Sequence, residues 1–282
     1  MPSRTDQLEE RTFALAVRSL ADALALGSDA SPFRGSGGEY VQSRGYLPGD
    51  PIRAMDWRVT ARTGRPHVKE YESLKHKPVV LVVDQSRSMF IASTRPTKWQ
   101  WASALAGALG LAAIARSSAA SLFGTGRDSP TLRGRPTMAR GEVLERAAHL
   151  RHLAPARQSS LADTLRDVDV AAREASLLLV LSDLHEPDAV PALRRAAARH
   201  EVVVMRLQDP AEVAAPPRGF FRGRHAESDA TFLSRPGKRL APSASDAAAT
   251  LRKAAVAMTT LRTETDFVPL LREFLAQRGS LS

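Results

Sequence analysis

Val79-Val80-Leu81-Val82-Val83-Asp84-Gln85-Ser86-Arg87-Ser88 is the stretch on which the fold turns. Its first five residues are all apolar and mostly β-branched. A strand with one wet face alternates, so an unbroken run of this length predicts a strand buried on both faces, as inside a parallel sheet. An acid follows the run at once, and then come hydroxyls at alternate positions on the turn that leaves it. A second stretch has the same form: Ser176 to Ser182 (SLLLVLS) runs directly into Asp183.

Working outward, helical and strand patterns alternate. Lys98 to Ser117 predicts a mostly apolar helix, Ala119 to Phe123 a strand, and Met138 to Leu150 and Leu161 to Glu174 two further helices. Ala189 to His200 predicts a helix and Val202 to Leu207 the next strand. This order implies an α/β fold, a doubly wound and mostly parallel sheet with right-handed crossovers and helices on both faces. Upstream, Leu8, Phe13, Leu15, Val17, Leu20, Ala21 and Leu24 keep helical spacing, and Gly27-Ser28 ends the helix expected over 6–26. From Phe33 to Pro78 the chain is rich in Gly, Arg and Pro, with a turn at Pro48-Gly49-Asp50, and predicts an irregular arm with short strands. Downstream, a Pro/Gly/Arg-rich stretch over 215–240 precedes two expected helices between Ala244 and Gln277, broken near Thr263 to Asp266. The expected division is an N-terminal helix (1–30), an arm packed on the main domain (31–78) and the main α/β domain (79–282).

Composition narrows the function classes. With 282 residues and 43% hydrophobic residues the chain can bury a sizeable core, filled mainly by Ala, Leu and Val because aromatics are only 5%. The absence of cysteine removes disulfides, thiolate catalysis and zinc-thiolate sites, and fits a reducing compartment. Residues 1–30 mix charges where a signal peptide needs an unbroken apolar stretch, and Ala102 to Ala115 falls short of the ~20 residues that span a bilayer. A cytoplasmic protein without a membrane span is expected. The net charge of +10 raises nucleic acid as a partner. The charge is scattered, however, and its densest cluster (Arg218, Arg222, Arg224, Arg235, Lys238, Arg239) is interleaved only with Phe220, Phe221 and Phe232, so a solvated basic face or an acidic protein partner is the better expectation.

Open α/β sheets bind ligands at the carboxyl ends of their strands, which is where Asp84 and Asp183 are expected. Together with Ser86 and Ser88 they make an all-oxygen set, suited to a hard cation such as Mg²⁺ that takes about six oxygen ligands, waters included. A plainer alternative is that Asp84 caps a turn and the serines form it, since Asp and Ser are common there. The buried strand before the motif and the second strand ending in Ser182-Asp183 favour the metal. None of His67, His76, His149, His152, His185, His200 and His225 shows ligand spacing, and none is expected to bind metal.

Asp84-x-Ser86-x-Ser88 after a hydrophobic strand resembles the metal-ion-dependent adhesion site of von Willebrand factor A domains. The arm, with Arg44-Gly45-Tyr46-Leu47-Pro48-Gly49-Asp50, Arg53, Asp56-Trp57-Arg58, Ala61-Arg62 and Val68-Lys69-Glu70, is similar to the bacterial domain of unknown function fifty-eight. The likeness is dense over 34–90 and continues through Asp183, Leu207-Gln208-Asp209-Pro210 and Leu271 to Arg278. It implies Ser86 and Ser88 as direct ligands of Mg²⁺ (or Mn²⁺ or Ca²⁺), Asp84 and Asp183 as ligands mainly through water, and a third hydroxyl from Ser159, with Ser160 as its rival, where the family pattern has Thr. It further implies a non-enzymatic binding module whose acidic protein partner completes the metal's coordination, with a MoxR-type AAA+ ATPase as the candidate. For the arm's Arg and Asp residues the expected role is ion pairing that pins the segment down, with Tyr46 and Trp57 as packing anchors.

Two other functions compete. An Asp ending a first strand is where haloacid-dehalogenase-type phosphatases carry their nucleophile, but their chemistry needs a second acid two residues on, and Ser86 stands there. A nucleic-acid-binding protein driven by net charge is the other, and it predicts a steep loss of affinity with salt.

Overall fold

The computed structural model describes residues 4–25, 40–48, 50, 52, 55–71, 77–127, 134–156, 158–213, 221–224, 231–234 and 244–279. Its centre is a parallel sheet of β3 (Val79–Val83), β4 (Ala120–Gly124), β5 (Leu177–Ser182), β6 (Glu201–Gln208) and β9 (Ala257–Arg262), in the order β4-β3-β5-β6-β9. β3 lies in register between β4 and β5, with Val83 opposite both Gly124 and Leu181. Every residue of β3 and of β5 is buried, as the uninterrupted apolar runs require. Gly134 to Thr137 runs antiparallel along the outer side of β4, which makes the sheet mostly rather than wholly parallel.

Side chains leave the sheet alternately and build two cores. Val79, Leu81, Val83, Leu122, Leu179 and Met205 pack under α1 (Arg4–Ala25), α3 (Lys98–Ala115) and α9 (Val268–Gly279), joined by α4 (Arg140–His152). Val80, Val82, Leu178, Val180, Val202 and Val204 pack under α5 (Leu161–Ala171), α6 (Ala189–Ala196) and α8 (Ala244–Lys253). The sheet is doubly wound. Val17, Ala21 and Leu24 place α1 in the first of these cores, against α3. That approach depends on Gly107, where an added Cβ would lie 2.8 Å from Val17 and 2.9 Å from Ala147 of α4. Among the described residues, no helix is long and apolar enough to cross a membrane.

The arm is more regular than its composition predicts. β1 (Tyr40–Gly45) and β2 (His67–Tyr71) form an antiparallel ladder, and α2 (Trp57–Thr63) stands between them. Asp56 caps α2 by accepting from the backbone N–H of Arg58 and Val59, and its other oxygen takes the Ser43 hydroxyl at 2.5 Å. Arg44 grips Asp50 through two 2.8 Å bonds, and the Asp50 N–H bonds back to Leu47 O at 3.0 Å. The expected packing anchors are a correction: Trp57, the first residue of the capped helix, is 65% exposed, and Tyr46, just past β1, is 38% exposed. Arg53, His76, His225, Gly27-Ser28 and most of the basic stretch, including Arg218, Arg235, Lys238 and Arg239, lie outside the described residues; within that stretch the backbones of β7 (Phe221–Arg224) and β8 (Thr231–Ser234) pair antiparallel, and the side chains of Arg222 and Arg224 lie outside the description.

The tail differs too. Between Ala244 and Gln277 the chain forms α8, then edge strand β9, then α9, where two helices were expected. The stop of α8 is a Schellman turn: Val256 N–H bonds Leu251 O and Ala255 N–H bonds Arg252 O, with Ala255 in the left-handed region at φ 56. Glycine usually marks such a stop, and here alanine takes the position, so the helix ends without its usual signal. Pairing with β6 then satisfies the backbone of a half-buried segment whose own pattern is ambiguous.

Candidate metal-binding rim

From β3 the chain passes to β4 on one side and later returns to β5 on the other, so the carboxyl ends of β3 and β5 flank a topological switch point, where crossovers diverge and leave a crevice. Asp84 and Asp183 leave these two strand ends, 1% and 0% exposed. The Asp84 N–H extends the ladder to Leu181 O, which fixes its side chain beside Ser182. Ser182 Oγ donates to Asp84 Oδ2 at 2.6 Å and accepts from Leu184 N–H at 2.9 Å. Leu184 sits in the left-handed region at φ 59, an uncommon conformation for a branched apolar residue, and so turns the chain sharply just after Asp183.

The turn after Asp84 folds back on it. Ser86 N–H donates to Asp84 Oδ1 at 2.9 Å, and the hydroxyls of Ser86 and Ser88, both nearly buried, meet at 3.0 Å. Ser88 also hydrogen-bonds Asp183, which closes the group of four. Of the rivals for the third hydroxyl, Ser160 is engaged elsewhere, capping α5 through Asp163 N–H and lying 3.4 Å from Glu186. Ser159 Oγ lies 2.5 Å from Thr125 Oγ1, which is 3.4 Å from Asp84 Oδ1. Thr125 thus links Ser159 to the rim. It leaves β4 by bonding Val83 O and accepts from Gln85 N–H at 2.8 Å.

Burial, and then the charge of Asp183, push the Asp84 carboxyl up to about 6 despite its bonds from Ser182 and Ser86. Burial also works against the charge of Asp183, but Lys98 and His185 beside it, with the Lys98 and Ser88 hydrogen bonds, together outweigh burial and hold this carboxyl below its ordinary range. Lys98 is 1% exposed and reaches Asp183 Oδ2 at 2.7 Å, and its ammonium also bonds Glu212 on α7 (Pro210–Val213). Burial disfavours that ammonium, and the two acids more than restore it. Asp183, His185 and Glu212 bring one potential ligand atom each within 4.8 Å of one another, but Lys98 already occupies two of the three. The first group fits a hard cation better: it is all oxygen, its hydroxyls converge, and it holds a buried carboxylate pair with one internal cation between two charges.

The chain matches the family described as "Protein of unknown function DUF58" over residues 42–252. It belongs to that family. The DUF58 chain is 30% identical over 285 residues to uncharacterized protein Rv1480 of Mycobacterium tuberculosis, covering 96% of this chain and 90% of that protein. Uncharacterized protein Mb1516 of Mycobacterium bovis gives the same figures. Among solved structures, conserved hypothetical protein BatB from Bacteroides thetaiotaomicron shares 13% identity at a TM-score of 0.46, over 72% of this chain and 99% of that one.

Asp84, Ser86, Ser88 and Asp183 come together in this DUF58 protein, and Ser159 joins them through Thr125. Sequence reasoning missed four neighbours: Thr125, Ser182, Lys98 and Glu212. Ser182 was legible in principle, since it precedes Asp183 on a strand paired with β3. The other three arrive from β4, α3 and α7, and no local spacing ties them to the motif.

Proposed function

We propose that this chain is a non-enzymatic, metal-dependent protein-binding module of the von Willebrand factor A-like kind, cytoplasmic, acting with a MoxR-type AAA+ ATPase. Mg²⁺, or Mn²⁺ or Ca²⁺ in its place, would be held by Ser86 and Ser88 directly, by Ser159 as third hydroxyl, and by Asp84 and Asp183 through water. When bound, the ion supplies positive charge at a coordination position open to an acidic side chain of the partner. The observation that carries this reading is the Asp84 carboxyl, buried beside Asp183 and bonded by the Ser86 N–H and the Ser182 hydroxyl, with burial and then the charge of Asp183 raising its titration to about 6. Ser86 stands where a phosphatase of this topology needs its acid, and its hydroxyl is bonded to Ser88, which supports binding over catalysis.

Calorimetry with Mg²⁺ and Mn²⁺ tests the site. Wild type is expected to give binding heat and Ser86→Ala none, and equal binding by both would remove the site. Capture of the ATPase with and without chelator tests the partner. Binding that survives chelation and Asp84→Ala in a folded protein would move the interface elsewhere.

A further inference from the structure

Lys98 is in the wrong place by local rules. Thr97 caps α3 with a full capping box to Gln100, so Lys98 is the first residue of the helix, where the positive end of the macrodipole disfavours a cation. It is also among the most deeply buried side chains of the chain, an unusual setting for an ammonium. Tertiary contacts resolve both conflicts. The ammonium bonds Asp183 on one side and Glu212 on the other, and Glu212 is brought over it by Asp209, which accepts from Ser93 N–H at 2.8 Å and Ser93 Oγ at 2.5 Å. Arg206, also buried, donates its Nε to the main-chain oxygen of Asp183 at 3.3 Å. Among the described residues, Lys98 hydrogen-bonds carboxylate oxygens of both Asp183 and Glu212, and His185 lies farther from the same two acids, at 3.4 and 3.9 Å.

We propose that Lys98 sets the valence selectivity of the rim, holding its charge at a level that suits a divalent cation and discriminates against a trivalent one. This rests on the metal-site reading above. Asp84, Asp183 and Glu212 supply three negative charges and Lys98 cancels one of them, while the buried Arg206 adds a positive charge that is the same in every variant compared below. Without Lys98 the cluster is more negative by one charge. In a buried cluster each added negative charge favours a trivalent over a divalent ion, because attraction scales with the product of the charges and is weakly screened there. A merely structural lysine would alter affinity for both ions alike and leave their ratio unchanged.

The test compares Tb³⁺ binding by luminescence with Mn²⁺ binding by electron paramagnetic resonance, on the full chain at pH 7.5, counting only binding that Ser86→Ala abolishes. Lys98→Met is expected to raise the Tb³⁺ to Mn²⁺ affinity ratio by at least about tenfold. Glu212→Gln, which removes a negative charge instead, is expected to lower the ratio. The double variant Lys98→Met/Glu212→Gln removes one charge of each sign, restores the wild-type net charge and is expected to return the ratio to the wild-type value. Should Lys98→Met not fold, the fall in Glu212→Gln and the recovery in the double variant still decide. Ser86-dependent Mn²⁺ binding with an unchanged ratio in these variants overturns the role of Lys98 and leaves the site standing. Wild type without Ser86-dependent Mn²⁺ binding overturns the site and this inference together.

Discussion

Opposite ends of the sheet carry polar clusters built from the same kinds of residue, and they are balanced differently. At the amino ends of β5 and β6, His200 Nδ1 accepts from Ser176 N–H at 3.2 Å and its Nε2 faces Asp169 Oδ1 at 3.2 Å. Arg199 clamps Asp169 through its side chain at 2.9 Å and its carbonyl at 2.8 Å, and Ala172 O at 2.8 Å. The Asp169 carboxylate is half exposed, and the Arg199 hydrogen bond holds it below its ordinary range. At the carboxyl ends of β3 and β5, two carboxylates are buried together, one is paired with Lys98 and the other is driven up to about 6. A cluster whose charges are met by its own residues and by water acts as a staple. One that leaves a buried carboxylate uncompensated supports the proposed cation site.

The difference can be broken from either end. Lys98→Ala leaves Asp183 buried beside Asp84 without its partner, and is expected to cost about 3 to 5 kcal/mol in urea melts at pH 7.5 with chelator. Arg199→Ala, at an exposed pair, is expected to cost no more than about 1 kcal/mol. Comparable losses would erase the contrast.

Asp84→Asn should move the other way, stabilising the metal-free protein at pH 7.5 by on the order of 2 to 3 kcal/mol while keeping an acceptor for Ser86 N–H. The folded carboxyl titrates near 6 and its ordinary value is 3.8, so the folded state holds this proton more tightly. Its penalty is therefore absent below about pH 4, grows between 4 and 6, and is complete above 6. Urea midpoints at pH 4.5 and 7.5 should differ less in Asp84→Asn than in wild type, and an unchanged pH dependence would mean that the Asp84 carboxyl is not displaced. Metal binding sharpens the same point: affinity for Mg²⁺ should fall below pH 6 by up to about tenfold per pH unit as the ion competes with one proton. A flat calorimetric profile from pH 7.5 to 5 would contradict it.

The smallest effect belongs to Asp169→Asn. Its depressed titration contributes stability above the ordinary carboxylate range that is lost as pH falls through the folded value, and exposure limits the loss on substitution to under about 1 kcal/mol. A loss as large as that of Lys98→Ala would make the amino end a buried network after all.

Much of the rim was readable because its parts are local. β3 and β5 are recognisable as apolar runs, and each places an acid directly after its last apolar or hydroxyl residue, so Asp84 and Asp183 follow from strand ends alone. Ser86 and Ser88 share the turn that begins at Asp84. Ser159 was one of two adjacent candidates, and the choice between them needed the fold: Ser160 caps α5 while Ser159 meets Thr125. Lys98 was read as the start of an apolar helix and nothing more, since its partners lie 85 and 114 residues away.

What the sequence by itself determined is the set of elements whose signal is carried within one segment: buried strands from unbroken apolar runs, α1 from the helical spacing of its apolar residues, α3 from its apolar content, and the DxSxS turn. Tertiary structure alone decided which strand ends are neighbours, that β9 is an edge strand beside β6, and that an ammonium from α3 and a carboxylate from α7 meet the rim acids. Backbone periodicity reports a residue's own surroundings along the chain. Charge balance in a buried crevice depends on groups that chain crossovers bring within 3 Å, and that distance is set by packing across the whole sheet.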